Sequence, residues 1–307
     1  MTTQRIASRV SNIKPSPSSS AADRANELRR QGQDIINLVV GEPDFDTPAN
    51  IGNAAWEAIQ RGETRYTANS GSPAMRQAIQ AKLERENALD YQANEIVVTN
   101  GAKAAIFTAF SATIEAGDEV IIPAPYWVSY PDMVIACEGT PVIATCTEDE
   151  GFKLTPERLR SVLTQKTRWL IINSPSNPTG ASYNYDDYVA LSEVLAEYPN
   201  VLIMTDDIYE HIRFDDRANI HLLNAAPQLK ARTLLINGVS KTYAMTGWRI
   251  GFAAGPFYLI DAMQKLQSQS AGNACSVSQA AAIEAYNGQQ DFVASNKAAY
   301  ESRRDKM

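Results

Sequence analysis

The segment from Ser240 to Arg249, Ser-Lys-Thr-Tyr-Ala-Met-Thr-Gly-Trp-Arg, holds one lysine between small residues and an arginine close behind it. A neutral lysine amine can form a Schiff base with an aldehyde, and a fixed guanidinium can bind a phosphate through two hydrogen bonds. Partial burial and a nearby cation lower the pKa of such an amine and favour its nucleophilic form. The segment indicates covalent binding of a phosphorylated aldehyde, whereas Lys241 alone would be read as an ordinary solvated side chain.

Two further polar segments follow apolar runs that are typical of buried strands. Asp206 and Asp207 follow one run, and a buried carboxylate is costly unless it is paired. We interpret Asp206 as the partner of a cation such as a protonated pyridine nitrogen, and Asp207 as a helix cap or a loop ion pair. Tyr209 either packs or directs its hydroxyl into the same cleft. Asn177 lies in an Asn-Pro-Thr-Gly turn, which leaves its amide free to face that cleft.

Three other positions are candidates for ligand contact. The Gly101-Ala102-Lys103 segment opens a helix after a strand, and free N–H groups at a helix N-terminus bind phosphate. Trp127 is either a core residue or a platform for a planar ring. Tyr66 is either an unremarkable exposed side chain or a residue that serves a partner subunit. The sequence lacks both the G-x-G-x-x-G and Walker A patterns, so nothing specific supports nucleotide binding.

Short apolar runs alternate with segments of helical periodicity, which predicts an α/β fold: a mostly parallel, seven-stranded sheet with helices on both faces. The interval between residues 236 and 250 is too short for a helical crossover, so we expect an antiparallel strand there. Ligands bind beyond the carboxyl ends of such strands, where the polar candidates lie. Predicted strands are 95–99, 120–123, 141–144, 169–172, 201–204, 233–236 and 250–254; predicted helices are 19–31, 50–61, 73–87, 102–114, 128–136, 156–163, 186–197 and most of the chain from 257.

The composition is that of a globular protein, with 307 residues, 44% hydrophobic residues and a net charge of −7. The acidic balance argues against nucleic acid as a partner. We expect neither of the two histidines, His211 and His221, to have a ligand-like partner nearby, so we expect no metal site. We interpret the three cysteines as small core residues in a reducing compartment. No apolar stretch of ~20 residues occurs, so we expect no membrane contact and a cytoplasmic location.

Taken together, the motifs resemble those of the class I aminotransferases among the fold-type I pyridoxal-phosphate enzymes, especially the bacterial aspartate and aspartate/prephenate aminotransferases. The resemblance covers nearly the whole chain. It implies a homodimer, an N-terminal arm with part of a small domain (1–45), a cofactor-binding large domain (46–285) and the start of an incomplete small domain (286–307). The matching motifs, in order, are Val-Gly-Glu-Pro-Asp-Phe, Ala-Pro-Tyr-Trp-Val-Ser-Tyr, Asn-Pro-Thr-Gly, Asp-x-Ile-Tyr-Glu and Ser-Lys-x-Tyr-Ala-Met-Thr-Gly-Trp-Arg.

The resemblance implies that the cofactor is pyridoxal 5′-phosphate, held covalently by Lys241, which also moves the substrate's α-proton. It implies that Asp206 keeps the pyridine nitrogen protonated and that Tyr209 is the third catalytic residue. Tyr209 and Asn177 would bind the phenolic oxygen of the ring, and Trp127 would stack on it. The implied phosphate contacts are Gly101, Ala102, Lys103, Arg249 and Tyr66 of a second subunit. The implied substrate contacts are Gly41 (by its backbone), Trp127, Asn177, Lys103 and the Lys14/Ser18 region.

The sequence departs from the family pattern at three places. Gly238 replaces a frequent hydroxyl residue, which removes one phosphate contact, and Asp207 replaces a glutamate. The resemblance also implies a later arginine for the substrate's α-carboxylate, and no residue here matches it. We therefore interpret the chain as lacking a C-terminal part, and we expect this 307-residue form to bind cofactor poorly or not at all and to transaminate negligibly.

The expected activity is transamination between an acidic L-amino acid, aspartate or glutamate, and a 2-oxo acid, with oxaloacetate, 2-oxoglutarate or prephenate as acceptor. A lyase or synthase on the same fold is one alternative, because these reactions begin from the same cofactor adduct. A non-catalytic, cofactor-binding regulator is another. Return of the cofactor to its aldehyde form by a 2-oxo acid distinguishes a transaminase from the others.

Overall fold

A computed structural model describes residues 6–214 and 220–307. Its strands are β1 (Ile96–Thr99), β2 (Glu119–Ala124), β3 (Thr140–Thr145), β4 (Thr167–Asn173), β5 (Leu202–Asp206), β6 (Thr233–Gly238) and β7 (Gly251–Ala254). Its α-helices are α1 (Ser8–Ser11), α2 (Pro17–Arg30), α3 (Ala49–Gln60), α4 (Pro73–Asn87), α5 (Ala102–Thr113), α6 (Ser129–Ala136), α7 (Pro156–Val162), α8 (Tyr185–Ala196), α9 (Leu222–Ala225), α10 (Phe257–Ser268), α11 (Ser276–Asn287) and α12 (Asp291–Arg304).

The seven strands form one sheet in the order β1-β7-β6-β5-β4-β2-β3. Strands β2 to β6 run parallel to one another, whereas β7 is antiparallel to both of its neighbours, β1 and β6. The predicted mostly parallel, seven-stranded sheet is therefore confirmed, and so is the antiparallel strand after residue 236. This order brings the carboxyl ends of β4, β5 and β6 side by side.

Several helices begin where capping chemistry predicts. Ser72, Thr155 and Asn184 each accept a hydrogen bond from a backbone N–H of the first turn of α4, α7 and α8. Helix α2 begins at Pro17, two residues before the predicted start, because Ser16 caps it and proline is compatible with the first helical position. The single turn of α1 was not predicted.

The core lies on both faces of the sheet. Neighbouring residues of β1 point to opposite sides, so Val97 joins one hydrophobic cluster and Val98 joins the other. Cys146 is buried, as predicted for a small core residue, and Cys137 is partly buried. The same prediction is wrong for Cys275, which is exposed because it lies at the N-terminal cap of α11.

The last helix packs on the segment that precedes α3. Tyr300 of α12 meets the ring of Phe45 edge-on with 5.3 Å between ring centroids, and Arg303 pairs with Asp44 at 2.7 Å. The division of the chain at residues 45 and 285 stays a prediction. Within residues 6–214 and 220–307, none of the helices combines the length and the apolar character needed to cross a bilayer.

Candidate active site

The site is built at the carboxyl ends of β4 and β5. Asn173 and Asp206 end these strands in register with each other, and the Asn173 side chain donates a hydrogen bond of 2.7 Å to the Asp206 carbonyl. Asn173 Oδ1 in turn accepts from the backbone N–H of Asn177 at 2.7 Å. The amide of Asn173 therefore fixes the Asn177 turn against the end of β5.

Asp206 is a buried carboxylate, only 4% exposed. The Tyr130 hydroxyl donates a hydrogen bond of 2.6 Å to Asp206 Oδ2, and the Ile208 N–H lies 3.4 Å from Oδ1. Burial raises the pKa of Asp206 to about 6, with the charge of Asp207 acting in the same direction, while the Tyr130 hydrogen bond and Lys241 lower it. A carboxylate held in this way gains from a cationic partner.

Lys241 lies in the loop after β6 and is partly buried. Its Nζ donates a hydrogen bond of 2.5 Å to the Gly41 carbonyl and lies 5.8 Å from the centre of the Tyr209 ring. Burial lowers the pKa of this amine, as does the Arg249 charge, against the opposing charges of Glu42 and Asp206. A lowered pKa favours the neutral, nucleophilic amine.

Tyr209 joins the same cleft. The Asn177 amide donates to its hydroxyl at 3.3 Å. Burial, with the negative charge of Asp206, raises the pKa of Tyr209 to about 12, so the hydroxyl stays protonated at neutral pH. The hydroxyl is therefore available as a hydrogen-bond donor beside Lys241.

The N-terminus of α5 lies beneath the Arg249 guanidinium. Gly101 precedes the helix with φ of +88°, and a Cβ built on it would lie 2.3 Å from Arg249 Nη2. Arg249 is held by the carbonyls of Asn100 (3.3 Å) and Thr246 (2.8 Å). Because helix N–H groups and a guanidinium converge here, the arrangement suits a phosphate.

Close packing explains why glycine stands at two positions beside the N-terminus of α5. A Cβ on Gly251 would lie 2.3 Å from the Ala102 nitrogen, and a Cβ on Gly238 would lie 2.8 Å from the Ile250 carbonyl oxygen. Because no side chain fits at Gly238, the hydroxyl that the family often carries there cannot be accommodated in this backbone arrangement.

Trp127 and the cationic side chains of Lys103 and Arg249 form another side of the site. Lys103 Nζ lies 4.8 Å from the centre of the Trp127 ring, a cation–π distance. Partial burial and the positive charge of Arg249 lower the pKa of Lys103. Trp127 and Lys103 thus border the space beside Asp206 and the α5 N-terminus.

Residues 41–47 cover the Lys241 loop. The Thr47 hydroxyl donates to the Ala244 carbonyl at 2.6 Å and accepts from the Trp248 indole at 3.0 Å. The Thr246 hydroxyl also donates to Glu42. These contacts, made across about two hundred positions of sequence, hold Gly41 against the Lys241 amine.

Comparison with known proteins identifies the family. Residues 33–307 match the family described as aminotransferase class I and II. The chain belongs to this family. It is 54% identical over 300 residues to a probable aspartate/prephenate aminotransferase of Rickettsia bellii, covering 98% of this chain and 75% of that protein. It is 50% identical over 299 residues to an aspartate aminotransferase of Rhizobium meliloti, covering 97% and 73%.

Solved structures of aspartate aminotransferases share the fold of this aminotransferase chain. The enzyme from Rhizobium meliloti superimposes with a TM-score of 0.95 at 49% identity, over 99% of this chain and 76% of that one. The enzyme from Thermus thermophilus with maleate gives 0.94 at 40% identity, over 99% and 79%. The fold predicted from the resemblance is confirmed.

The structure brings together most of the residues that the sequence singled out. Contacts and short-range charge interactions link Gly41, Gly101, Ala102, Lys103, Trp127, Asn177, Asp206, Tyr209, Lys241 and Arg249. Tyr66 lies apart from them in the loop between α3 and α4 and is 97% exposed. Lys14 is exposed beside α6, where its backbone N–H donates to Asp132 at 3.1 Å. Within the described residues, neither side chain forms a hydrogen bond with this cleft.

Sequence reasoning missed the residues that support the site. Tyr130 stands in the quoted Ala-Pro-Tyr-Trp-Val-Ser-Tyr motif, yet it received no role, and Asn173 received none either. Lys82 on α4 was also missed. It is buried and paired with Glu210, directly after Tyr209.

The structure corrects the expectation that neither histidine has a ligand-like neighbour. His211 Nε2 lies 3.1 Å from Glu86, and His221 Nε2 lies 3.3 Å from the buried Asp207. Glu86, Glu210 and His211 lie close enough to share an ion, but the Lys82 ammonium already pairs with Glu210. This contact does not decide between the two predicted roles of Asp207, helix cap and loop ion pair, because His221 carries a charge only when it is protonated.

Proposed function

We propose that this chain carries the catalytic site of a pyridoxal-phosphate-dependent aminotransferase that moves the amino group of an acidic L-amino acid to a 2-oxo acid. The observation that carries the proposal is a three-point arrangement in one cleft. A lysine with a lowered pKa, a buried carboxylate and a helix N-terminus beneath an arginine would be the partners of an aldehyde, a ring nitrogen and a phosphate.

The residues present fit this cofactor. Because Gly101 lacks a Cβ, the Arg249 guanidinium can lie directly over the N-terminus of α5, and Asp206 is a buried acceptor whose raised pKa favours a cationic partner. Lys241 would hold the group covalently, and Trp127 would pack on its ring. When bound, pyridoxal phosphate supplies an electron-withdrawing ring that stabilises negative charge on the substrate's α-carbon.

The protein's own contribution is to place charges and to move a proton. Asp206 would keep the ring nitrogen protonated. Tyr209 and Asn177, joined by their hydrogen bond of 3.3 Å, would donate to the ring's phenolic oxygen. Lys241 would take the proton from the substrate's Cα and deliver it to the cofactor's C4′, because its pKa is lowered and a neutral amine can accept a proton.

Acidic substrates suit the cationic edge of the cleft. Burial lowers the pKa of Lys103, as does the positive charge of Arg249, and a substrate carboxylate bound at Lys103 would offset both effects. Gly41, held at Lys241, would contact the α-carboxylate through its backbone. The names of the relatives, aspartate and aspartate/prephenate aminotransferase, support aspartate as donor with oxaloacetate, 2-oxoglutarate or prephenate as acceptor. Lys14 and Ser18 are proposed for the distal acidic group.

A homodimer is part of the proposal. Tyr66, nearly fully exposed, would reach the phosphate of a second copy's site. The extended segment before the site exposes apolar side chains of the kind that a subunit interface buries, namely Ile36, Leu38 and Val40. A cytoplasmic location stays a prediction.

Transfer of labelled nitrogen tests this function. The chain is incubated with pyridoxal phosphate, ¹⁵N-aspartate and 2-oxoglutarate, and ¹⁵N-glutamate is measured by mass spectrometry. We expect only trace transfer from this chain, and we expect that trace to require Lys241. Lys241→Ala abolishes the transfer, whereas the matched surface variant Lys265→Ala retains it.

The same experiment separates the alternatives. A lyase or synthase consumes aspartate without moving its nitrogen to 2-oxoglutarate, and a non-catalytic binding protein leaves aspartate unchanged. Label transfer that survives in Lys241→Ala would contradict the role of this lysine.

A further inference from the structure

Tyr130 touches two residues of the site at once. It lies in the first turn of α6 and is only 2% exposed. Its hydroxyl donates to Asp206 at 2.6 Å, and its ring meets the Trp127 ring edge-on, with 5.3 Å between centroids and an interplanar angle of 88°. Its backbone N–H also donates to the Trp127 carbonyl at 3.1 Å.

We propose that Tyr130 is a positioning residue that fixes the Asp206 carboxylate and the Trp127 ring relative to each other. The inference rests on the proposed function, in which Asp206 pairs with the ring nitrogen and Trp127 packs on the ring face. Tyr130 itself would not touch the cofactor. It would act through these two neighbours, holding the carboxylate ionised and in place.

The hydrogen bond to Asp206 has a clear electrostatic role. Within residues 6–214 and 220–307, Tyr130 provides the only side-chain hydrogen bond to the Asp206 carboxylate. Burial and the adjacent Asp207 both oppose the charged form of Asp206, and donation from Tyr130 favours that form. Burial and the charge of Asp206 raise the pKa of Tyr130 itself, so its hydroxyl remains a donor across the working pH range.

The aromatic contact gives Tyr130 a second function. An edge-to-face pair restricts both rings, and the backbone hydrogen bond between the same two residues adds to this restriction. Trp127 also carries Lys103 above its ring. A disturbance at Tyr130 is therefore transmitted to the carboxylate and to the aromatic wall together.

Carboxyl NMR of the cofactor-free protein tests the electrostatic part without relying on activity. Aspartate is labelled with ¹³C, and the Asp206 signal is assigned by its loss in Asp206→Asn. We expect a midpoint near pH 6 that rises by about one unit in Tyr130→Phe, which removes the donor and keeps the ring. Tyr91→Phe is the matched control, because Tyr91 is also buried and its hydroxyl lacks a partner among the described residues. An unchanged midpoint in Tyr130→Phe overturns the proposal.

Uniform replacement of tyrosine by 3-fluorotyrosine keeps the test usable if Tyr130→Phe does not fold. Fluorine makes the hydroxyl a stronger donor, so we expect the Asp206 midpoint to fall. A midpoint that stays at the value of the unlabelled protein overturns the proposal in the same way.

Cofactor affinity separates this inference from the proposed function. We expect Tyr130→Phe to weaken pyridoxal phosphate binding about tenfold, and to leave inorganic phosphate binding at the α5 N-terminus unchanged. If wild-type protein binds pyridoxal phosphate but Tyr130→Phe changes neither affinity nor midpoint, the inference fails and the function stands. If the midpoint moves but wild-type protein does not bind the cofactor, the function fails and the control of Asp206 by Tyr130 stands.

Discussion

Replacing Lys82 by methionine should destabilise the fold far more than a similar change at the surface. Lys82 is 1% exposed and donates to Glu210 and to Asn87 Oδ1, the latter at 2.7 Å. Asn87 and Asn237 also donate to Glu210, at 2.7 Å and 2.6 Å. Burial alone would raise the pKa of Glu210, but Lys82 and the other partners lower it to about 2, so the carboxylate is charged at neutral pH while Lys82 is present.

The expected cost follows from leaving that charge buried. Removing one partner of a buried ion pair costs about 3–5 kcal/mol, whereas an exposed pair contributes about 0–1 kcal/mol. Lys265→Met is the matched control, because Lys265 pairs with Asp261 at 2.6 Å on α10 but is 75% exposed. Urea unfolding of the whole chain, followed by circular dichroism, should place the Lys82→Met midpoint about 1 M below that of Lys265→Met.

The double variant Lys82→Met/Glu210→Gln completes the test. Because it removes both charges, it should recover part of the stability lost in Lys82→Met. Equal unfolding midpoints for Lys82→Met and Lys265→Met would refute the reasoning, since they would mean that the buried carboxylate does not need its lysine.

Three further outcomes follow from the same structure. The lowered pKa of Glu210 means that the unfolded chain binds more protons, so the free energy of unfolding should fall as pH drops from about 5 towards 2, and Glu210→Gln should flatten this dependence in acid titrations. Gly251→Ala places a Cβ 2.3 Å from the backbone at the start of α5 and should abolish phosphate binding in calorimetry, whereas Gly247→Ala, with open space around it, should not. Arg232→Met removes hydrogen bonds to three carbonyls in and after α8, so it should lower the free energy of unfolding in urea by about 1.5–3 kcal/mol. Arg160→Met, at an exposed position, should change that free energy little.

The strands and the residues at their ends could be predicted because their signal is local. An apolar run such as 201–204 bounded by Asp206 marks β5 and the point where its chemistry begins. Asp206, Lys241 and Gly101 were found in this way, because strand ends of a parallel sheet converge.

Contacts between distant segments could not be predicted from local patterns. Tyr130 and Asp206 are 76 positions apart, and Lys82 and Glu210 are 128 apart. A lysine on an amphipathic helix looks the same in sequence whether it faces water or a buried carboxylate. The misplacement of Cys275 has the same origin, because composition does not say which small residue caps a surface helix.

Attachment of the cofactor to a single amine tests the central claim most directly. The chain is mixed with excess pyridoxal phosphate, reduced with borohydride and digested, and the peptides are mapped by mass spectrometry; reduction traps even a weak complex. We predict a single adduct, on the peptide that contains Lys241, and its loss in Lys241→Ala. An adduct spread over surface lysines, or one that is undiminished when Lys241 is replaced, would contradict the account.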